Sequence, residues 1–315
     1  MPWPRRALTC LLLMALPSLA APAHAAAVHP KLLPVRSFAF GLGSGNLDGD
    51  VNARFAPFDL VVLDGEEARG AQIRELRARG KVVLAYLSIG TIEKGRSWYR
   101  RAKPFRLRDR FEEFDESYAA TSKRGFRRLI ARSVAPRMLA KGFDGLFLDN
   151  TDMIAAHPRQ ARGMRALIGG LGRLVHPGGR LLFAQNGDEV IGPSLHHLDG
   201  WNREDVSSTY DFDSRRYRRV GARETAATQA TLRRIARRGL LVTTSDYTRA
   251  GDAVATAVSV RNSCAAGALP FVTNIAITRI PSRPFLCVES TGMGGEKLSV
   301  WPYVRRAYLA EGGIP

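Results

Sequence analysis

Short apolar runs alternate with longer charged segments along almost the whole chain, and this alternation restricts the fold more than any other feature. Most of the runs are uniformly apolar, which is typical of strands buried on both faces of a parallel sheet. Eight strands are predicted, at residues 37–42, 59–63, 82–88, 145–149, 181–185, 198–203, 241–245 and 269–273. Helical patterns are predicted between them, at residues 67–79, 125–140, 159–175, 224–238 and 252–264.

This βα alternation predicts a (β/α)8 barrel, the TIM-barrel fold, as a single domain over residues 26–315. A doubly wound sheet is the competing architecture, and it would carry a glycine-rich phosphate turn after the first strand. The stretch GLGSGN at residues 41–46 lacks the G-x-G-x-x-G order and does not run into a clear helix start. Nucleotide binding is therefore not expected.

Residues 1–25 have the pattern of an export signal. Arg5 and Arg6 precede an apolar stretch at residues 8–19, and Ala23-His24-Ala25 offers a small-x-small cleavage site. The stretch is shorter than the roughly 20 residues that a spanning helix needs. We therefore expect an exported protein, periplasmic or secreted, without stable membrane insertion.

Two cysteines, Cys264 and Cys287, remain after removal of the signal. In an oxidising compartment such a pair favours a disulfide, and two buried free thiols are the alternative. Neither cysteine has the spacing of a metal site, so a structural zinc is not expected.

The formal net charge is +18, and it falls to +16 when Arg5 and Arg6 leave with the signal. Such a charge is compatible with an anionic partner. The arginines, however, are scattered in pairs along segments that resemble amphipathic helices, such as Arg127-Arg128 and Arg233-Arg234. A solvated outer face explains this pattern, and no nucleic-acid partner is expected.

Polar residues follow nearly every predicted strand, and carboxylates dominate among them. In a (β/α)8 barrel the reactive groups come from the carboxyl ends of the strands, where the βα loops surround one pocket. The candidates at these ends are Asp64, Tyr86, Ser88, Glu93, Asp149, Asp152, Asn186, Glu189, Glu204, Asp205, Asp246, Tyr247 and Asn274.

The types of residue at these ends exclude several kinds of chemistry. No G-x-S-x-G turn is present for a serine hydrolase, and no histidine pair follows a candidate aspartate to bind a metal. Carboxylate-only chemistry remains, and glycoside hydrolysis is its commonest form. That reaction needs one carboxylic acid that keeps its proton and one ionised carboxylate.

Several segments resemble glycoside hydrolase family 114, the endo-α-1,4-polygalactosaminidase-like barrels. The matching segments are FDLVVLD (58–64), GKVVLAYLSIGTIE (80–93), GFDGLFLDNTD (142–152), FAQNGDEV (183–190), WNRED (201–205) and LVTTSDY (241–247). The resemblance implies a (β/α)8 fold, hydrolysis of an amino-sugar polymer, a catalytic Asp/Glu pair, and no metal or other cofactor.

The resemblance also implies roles for individual residues. Asp149 corresponds to the nucleophile or electrostatic stabiliser, and Glu204 to the acid/base. The expected substrate-binding residues are Asp64, Tyr86, Ser88, Glu93, Asp152, Asn186, Asp246 and Tyr247. Asp144 precedes its strand and is expected to be structural. Asp152 either binds sugar or caps the following segment, and Glu93 either binds substrate or holds Arg96.

Two alternatives to an enzyme stay open. The first is a non-catalytic glycan-binding barrel, and the second is a protein that binds an anionic polymer through its arginine-rich surface. The charge also raises a question about the substrate, because a deacetylated polygalactosamine is cationic and a protein of +16 repels it unless a carboxylate-lined mouth dominates locally.

Overall fold

The computed structural model describes residues 28–287 and two short paired strands, Ser290–Thr291 and Lys297–Leu298. Eight parallel strands form the central sheet in chain order. They are β1 (Phe38–Gly41), β2 (Leu60–Asp64), β3 (Val82–Ser88), β4 (Gly145–Asp149), β5 (Leu181–Gln185), β6 (Gly200–Glu204), β7 (Leu241–Tyr247) and β8 (Leu269–Thr273). The predicted barrel is confirmed, while the predicted signal at residues 1–25 lies outside the described residues.

The barrel is nearly closed. Each strand from β1 to β8 pairs in parallel with the next one along the chain, but within the part of the chain described no ladder joins β1 to β8. Aromatic rings pack across this junction instead: the ring centroid of Phe271 in β8 lies 5.8 Å from that of Phe38 and 6.0 Å from that of Phe40, both in β1. The first and last strands are thus joined by side chains.

The barrel interior explains why the strands read as uniformly apolar. Leu146, Phe147 and Leu148 of β4 are completely buried, because one face of the strand packs inside the barrel and the other under the helices. Full burial of one such side chain contributes about 1.5–3 kcal/mol. These apolar strands are the rigid frame that holds the polar residues at their carboxyl ends.

Helices cover the outside of the barrel, and each of the five predicted helices is present. They are Gly70–Ala78, Arg124–Leu129 continuing through a π-helical turn Ile130–Val134 into Ala135–Ala140, Ala161–Val175, Ala222–Ala236 and Ala253–Ala265. Short α-helices lie at Ser44–Leu47, Val51–Phe55, Tyr99–Ala102, Met153–Ala156 and Asp188–Ile191. Single 3-10 turns lie at Pro30–Leu32, Lys103–Phe105, Glu112–Phe114, Pro158–Gln160 and His176–Gly178, and a longer one at Gly192–His197.

Local sequence explains the helix boundaries and the face that each helix buries. Asp252 caps Ala253–Ala265 by accepting a hydrogen bond from the Ala255 amide at 2.9 Å. Ala161–Val175 places its apolar residues three or four positions apart and buries that stripe against the barrel. No helix among the described residues is long and apolar enough to cross a membrane.

Two insertions at the carboxyl ends of the strands were not predicted. A three-stranded antiparallel sheet follows β3, formed by Thr91–Ile92, Arg106–Phe111 and Glu116–Ala119. A hairpin of Ser208–Asp211 and Arg216–Arg219 follows β6. Both are rich in charge, so they lack the apolar pattern by which the barrel strands are recognised.

A disulfide joins Cys264 and Cys287, with an S–S distance of 2.03 Å. It ties the end of the last helix to the segment that follows β8. The structure thus contains the pairing that the two cysteines suggested.

Candidate active site

Polar residues at the ends of consecutive strands meet around a cavity of about 410 Å³. Asp149 ends β4, Gln185 ends β5, Glu204 ends β6 and Tyr247 ends β7, and Tyr86 reaches the same space from β3. Since parallel strands present their carboxyl ends at one mouth of the barrel, residues far apart in the chain come together here.

The carboxylate of Asp149 accepts three hydrogen bonds. The Tyr86 hydroxyl donates to Oδ2 at 2.7 Å, and the Asn150 amide and the Gln185 side-chain amide donate to Oδ1 at 2.6 and 2.9 Å. Donors of this kind favour the ionised carboxylate and hold it in one orientation.

The carboxyl group of Glu204 has two side-chain partners. Asn186 donates to Oε2 at 2.7 Å, and the Tyr247 hydroxyl donates to Oε1. Asn186 also accepts a hydrogen bond from the Glu204 backbone amide at 3.0 Å, so one asparagine fixes both ends of the residue.

Burial and mutual charge separate the proton affinities of the two acids. Burial raises the pKa of Glu204 to about 8, and the negative charge of Asp149 and then of Asp205 add to the effect. Burial also raises the pKa of Asp149, but the hydrogen bonds from Tyr86, Asn150 and Gln185 oppose it. With more donors at Asp149, that group ionises first and Glu204 keeps the proton at neutral pH.

A repeated turn follows the strand ends. Asn150, Asn186 and Asp205 come directly after β4, β5 and β6, and their φ values of 56°, 52° and 57° lie in the left-handed region. Asparagine and aspartate tolerate this conformation better than other non-glycine residues. The chain therefore turns sharply after Asp149, Gln185 and Glu204.

A buried chain of hydrogen bonds supports Asp149 from inside the barrel. Thr243 donates to Asn202 at 2.7 Å, Asn202 donates to Gln185 Oε1 at 2.8 Å, and Gln185 donates to Asp149. Since Asn202 occupies the oxygen of the Gln185 amide, the nitrogen of that amide must face Asp149. Gln185 and Asn202 were not among the predicted residues, and the signal for them is a polar side chain inside an apolar strand.

A second cavity of about 700 Å³ adjoins the first, and both are lined by Leu42, Gly43, Tyr86 and Glu116. In the second cavity Arg96 pairs with Asp64 at 2.7 Å and with Glu93 at 2.5 Å. Burial raises the pKa of Glu93 to about 7, against the opposing charge of Arg96. The two cavities form one cleft.

Glu116 is a further cleft residue that was not predicted. It lies in the insertion after β3, and burial raises its pKa. Its position at the junction of the two cavities is visible only when that insertion is folded, because nothing in its local sequence marks it.

Most of the predicted binding residues reach the cleft, but two do not. Asp152 lines the first cavity, and burial raises its pKa to about 6. Ser88 is buried and accepts a hydrogen bond from Asn150 at 2.9 Å, and Asp246 is buried and accepts from the Ser207 and Ser208 amides at 2.8 and 3.0 Å. Neither is among the residues that line the two cavities.

The remaining carboxylates and amides of the strand ends have other positions. Asp144 lies at the start of β4 and accepts hydrogen bonds from the Val83 amide and from Arg77, each at 3.1 Å, in agreement with the structural role expected for it. Asn274 accepts from the Thr278 and Arg279 amides at 2.9 and 3.0 Å. The side chain of Glu189 lies outside the described residues. Among those that are described, no cluster of three histidine, cysteine or acidic residues is arranged to hold a metal.

The chain was compared with models of known protein families. The model of glycoside-hydrolase family GH114 matches residues 18–279. The chain belongs to this family. The family inferred from the strand-end motifs is therefore confirmed, and the carboxylates of the cleft lie within the GH114 match.

Solved structures with the same fold agree with GH114 membership. The glycoside hydrolase domain of PelA from Pseudomonas aeruginosa is 21% identical, with a TM-score of 0.67 over 78% of this chain and 96% of that domain. Ega3 of Aspergillus fumigatus, solved in complex with galactosamine, is 15% identical, with a TM-score of 0.61 over 84% of this chain and 97% of Ega3. At these identities the likeness establishes the barrel fold.

An uncharacterized protein of Deinococcus radiodurans is 29% identical over 120 residues. The match covers 35% of this chain and 38% of the Deinococcus protein, so the two share only part of their lengths.

Proposed function

We propose that this GH114 protein is an endo-acting glycoside hydrolase that cleaves an amino-sugar polysaccharide of the α-1,4-galactosamine or N-acetylgalactosamine type. The observation that carries the proposal is the pair of buried carboxyls in one cavity, where Glu204 holds its proton and Asp149 is surrounded by donors. A protonated acid beside an ionised carboxylate is the arrangement that glycosidic cleavage requires.

In the proposed reaction Glu204 transfers its proton to the glycosidic oxygen as the C1–O bond breaks. Asp149 acts on the anomeric carbon, either as a nucleophile or by stabilising the positive charge that develops there. Water then adds to C1, and where Asp149 has formed a covalent ester the C1–O bond to Asp149 breaks in the same step and releases the carboxylate. One proton of that water returns to the Glu204 carboxylate. Tyr86 and Gln185 hold Asp149 in place, and Tyr247 and Asn186 hold Glu204.

The shape and charge of the cleft support a polymeric amino sugar. The two adjoining cavities offer room on both sides of Tyr86 and Glu116, which suits an enzyme that cuts within a chain. Acidic side chains along it, including Asp64, Glu93 and Asp152, suit hydrogen bonding to amino and hydroxyl groups. Ega3, a protein of the same fold, has been solved with galactosamine.

Export is part of the proposal. The signal pattern of residues 1–25 and the disulfide between Cys264 and Cys287 both suit an oxidising compartment outside the cytoplasm. Expression of the full chain, followed by N-terminal sequencing of the exported product, tests it. A product that keeps Arg5 and Arg6 would contradict cleavage near Ala25.

The catalytic assignment is tested with purified protein that begins at Ala26. It is incubated with α-1,4-linked galactosamine polymers, acetylated and deacetylated, and released oligosaccharides are measured by mass spectrometry. Asp149→Asn and Glu204→Gln are expected to lower kcat by about 10²–10⁴-fold, because each removes one half of the acid/base chemistry. Val254→Ala changes an exposed residue on an outer helix and serves as the control.

Three outcomes separate the proposal from its alternatives. Full activity in both carboxylate variants overturns the assigned roles. Binding of the polymer without any product from the wild-type protein indicates a glycan-binding barrel. Steeply salt-dependent binding of an anionic polymer, unchanged in the cleft variants, indicates a function of the arginine-rich surface.

A further inference from the structure

We propose that Phe111, Phe114 and Phe212, which we call the aromatic arch, form a sugar-binding subsite beside the catalytic carboxyls. The arch would hold the apolar C–H face of one pyranose ring of the polymer, whether or not that sugar is acetylated. The proposal rests on the proposed function for the identity of its ligand, and its geometry is independent of that function.

The arch is built from two separate insertions. Phe111 ends a strand of the antiparallel sheet after β3, and Phe114 lies in the 3-10 turn that follows this strand. Phe212 lies in the turn of the hairpin after β6. Their ring centroids lie 5.3 Å apart for Phe111 and Phe114, and 5.4 Å apart for Phe114 and Phe212. All three side chains line the cavity that contains Asp149 and Glu204.

The exposure of the arch is unusual for aromatic side chains. Phe114 is 49% exposed and Phe212 is 37% exposed, and they are the two aromatic members of the four large exposed hydrophobic residues in the described chain. Leaving such surface in water is unfavourable. Two insertions that both place a phenylalanine at the same cavity mouth therefore point to a ligand that covers the rings.

Neighbouring contacts hold the arch in place. The ring of Phe111 stacks on Tyr118 with centroids 5.8 Å apart, and the ring of Phe212 packs edge-on against Tyr210 at 5.1 Å. Tyr210 packs in turn on Tyr217, whose hydroxyl accepts a hydrogen bond from the Ile275 amide at 3.2 Å. Each insertion is thus braced, the second one against the loop after β8.

The chemistry of the surroundings identifies the kind of ligand. The same cavity offers carboxylates at its floor and aromatic rings at its mouth. A pyranose presents hydroxyl or amino groups around its edge and C–H bonds on one face, and these slightly positive hydrogens are attracted to the negative face of an aromatic ring. A sugar unit next to the scissile bond meets both demands at once.

The test compares five changes at the arch: Phe114→Ala, Phe212→Ala, their combination, Phe114→Leu and Phe114→Tyr. KM and kcat are measured on the polymer, and Kd for α-1,4-linked galactosamine oligosaccharides is measured by calorimetry in the Glu204→Gln background. We expect the double change to raise KM and Kd about tenfold with kcat nearly unchanged, as expected for lost stacking on two rings. Phe114→Leu keeps the apolar bulk but lacks the ring, so it is expected to weaken binding as Phe114→Ala does. Phe114→Tyr keeps an aromatic ring and is expected to bind as tightly as the parent.

The controls separate binding from folding. Val254→Ala truncates another exposed apolar side chain, which lines neither cavity, and is expected to change neither KM nor Kd. Parental Kd values in the double variant, or full binding by Phe114→Leu, overturn the arch. A change from one oligomeric state to another in the double variant, measured by light scattering, also overturns it, because the rings would then serve contact between copies.

Failure of the arch and failure of the proposed function give different results. If the wild-type protein releases oligosaccharides and the arch variants bind like the parent, the function stands and the arch is wrong. If the wild type releases no product but the arch variants bind the oligosaccharides more weakly, the arch stands and the hydrolase is wrong.

Discussion

Asp149 and Glu204 differ in the number and kind of donors that reach them. Asp149 has a phenol, a backbone amide and a glutamine amide, whereas Glu204 has a phenol and an asparagine amide. Both groups are buried, so each missing or added hydrogen bond changes the free energy of ionisation strongly. This difference gives the two acids separate roles.

Tyr247→Phe is expected to move the alkaline limb of the pH–activity profile upward. The Tyr247 hydroxyl stabilises the ionised form of Glu204 and so lowers its pKa. Without that hydrogen bond the pKa rises further above 8, and Glu204 keeps its proton to higher pH. The expected shift is about one pH unit, measured as the pH dependence of kcat/KM.

Tyr99→Phe is the matched control, since Tyr99 does not line either cavity and its hydroxyl accepts a hydrogen bond from Arg106. Its alkaline limb is expected to stay in place. A limb that moves to lower pH in Tyr247→Phe would show that Glu204 is not the group that must be protonated.

The sequence predicts strand-end residues well where the strand direction alone decides their position. Asp149, Glu204 and Tyr247 end their strands and reach the mouth of the barrel. Asp246 precedes Tyr247 in β7, and neighbouring strand residues face opposite sides, so it points away from the cavity. The roles of Gln185 and Asn202 could not be predicted from the sequence, because they depend on hydrogen-bond partners that lie on other strands.

At the scale of elements, the apolar pattern identifies the barrel strands and outer helices but not the insertions. The segment RLRDRF, which forms the strand Arg106–Phe111, contains three arginines and an aspartate, and among the described strands it pairs only with Glu116–Ala119. Strands that bury little surface take their shape from pairing and tertiary contact. The arch and Glu116 both belong to this class of element, which is why sequence patterns did not reveal them.

The helix Ala161–Val175 allows two glycines of one element to be compared. A Cβ at Gly163 would lie 2.2 Å from the backbone oxygen of Thr121, whereas a Cβ at Gly170 would meet no atom within 4 Å. We expect Gly163→Ala to lower the free energy of unfolding by about 1–3 kcal/mol. Gly170→Ala is expected to raise it by about 0.5–1 kcal/mol, because alanine favours the helix.

Chemical denaturation of both variants measures the two changes against the wild-type protein. Both variants replace a glycine of the same helix by alanine, and the two positions differ in the space available to the new methyl group. Equal effects at both positions would show that the helix does not pack closely on the segment around Thr121.

At the scale of the whole molecule, a basic body carries an acidic cleft. The formal net charge is +18, yet the described residues that line the catalytic cavity include five carboxylic acids and neither lysine nor arginine. The net charge governs the field at long range, and the lining governs it inside the cavity. The positive net charge therefore opposes the approach of a cationic polymer from solution, whereas the carboxyl groups that line the cavity favour the bound polymer.

For a deacetylated polymer, kcat/KM is expected to rise when the salt concentration increases from roughly 20 to roughly 150 mM. Over this range the Debye length falls from roughly 20 Å to about 8 Å, so the added salt weakens the long-range repulsion from the body before it weakens contacts in the cleft. An N-acetylated polymer is neutral and serves as the control, with little change expected. A fall in kcat/KM for the cationic polymer would show that the acidic cleft also dominates at a distance.

The strands β1 and β8 are the two edges of the sheet that closes into the barrel. Among the described residues, side chains and no backbone hydrogen bonds join these two edges. Leu42 follows β1, and Ile275 and Ile277 belong to the loop after β8, and all three line the catalytic cavity. A sugar chain seated in that cavity would touch both ends at once. A ligand that binds only the folded state raises the free energy of unfolding by mass action. Bound substrate would therefore stabilise the closed barrel against separation of β1 from β8.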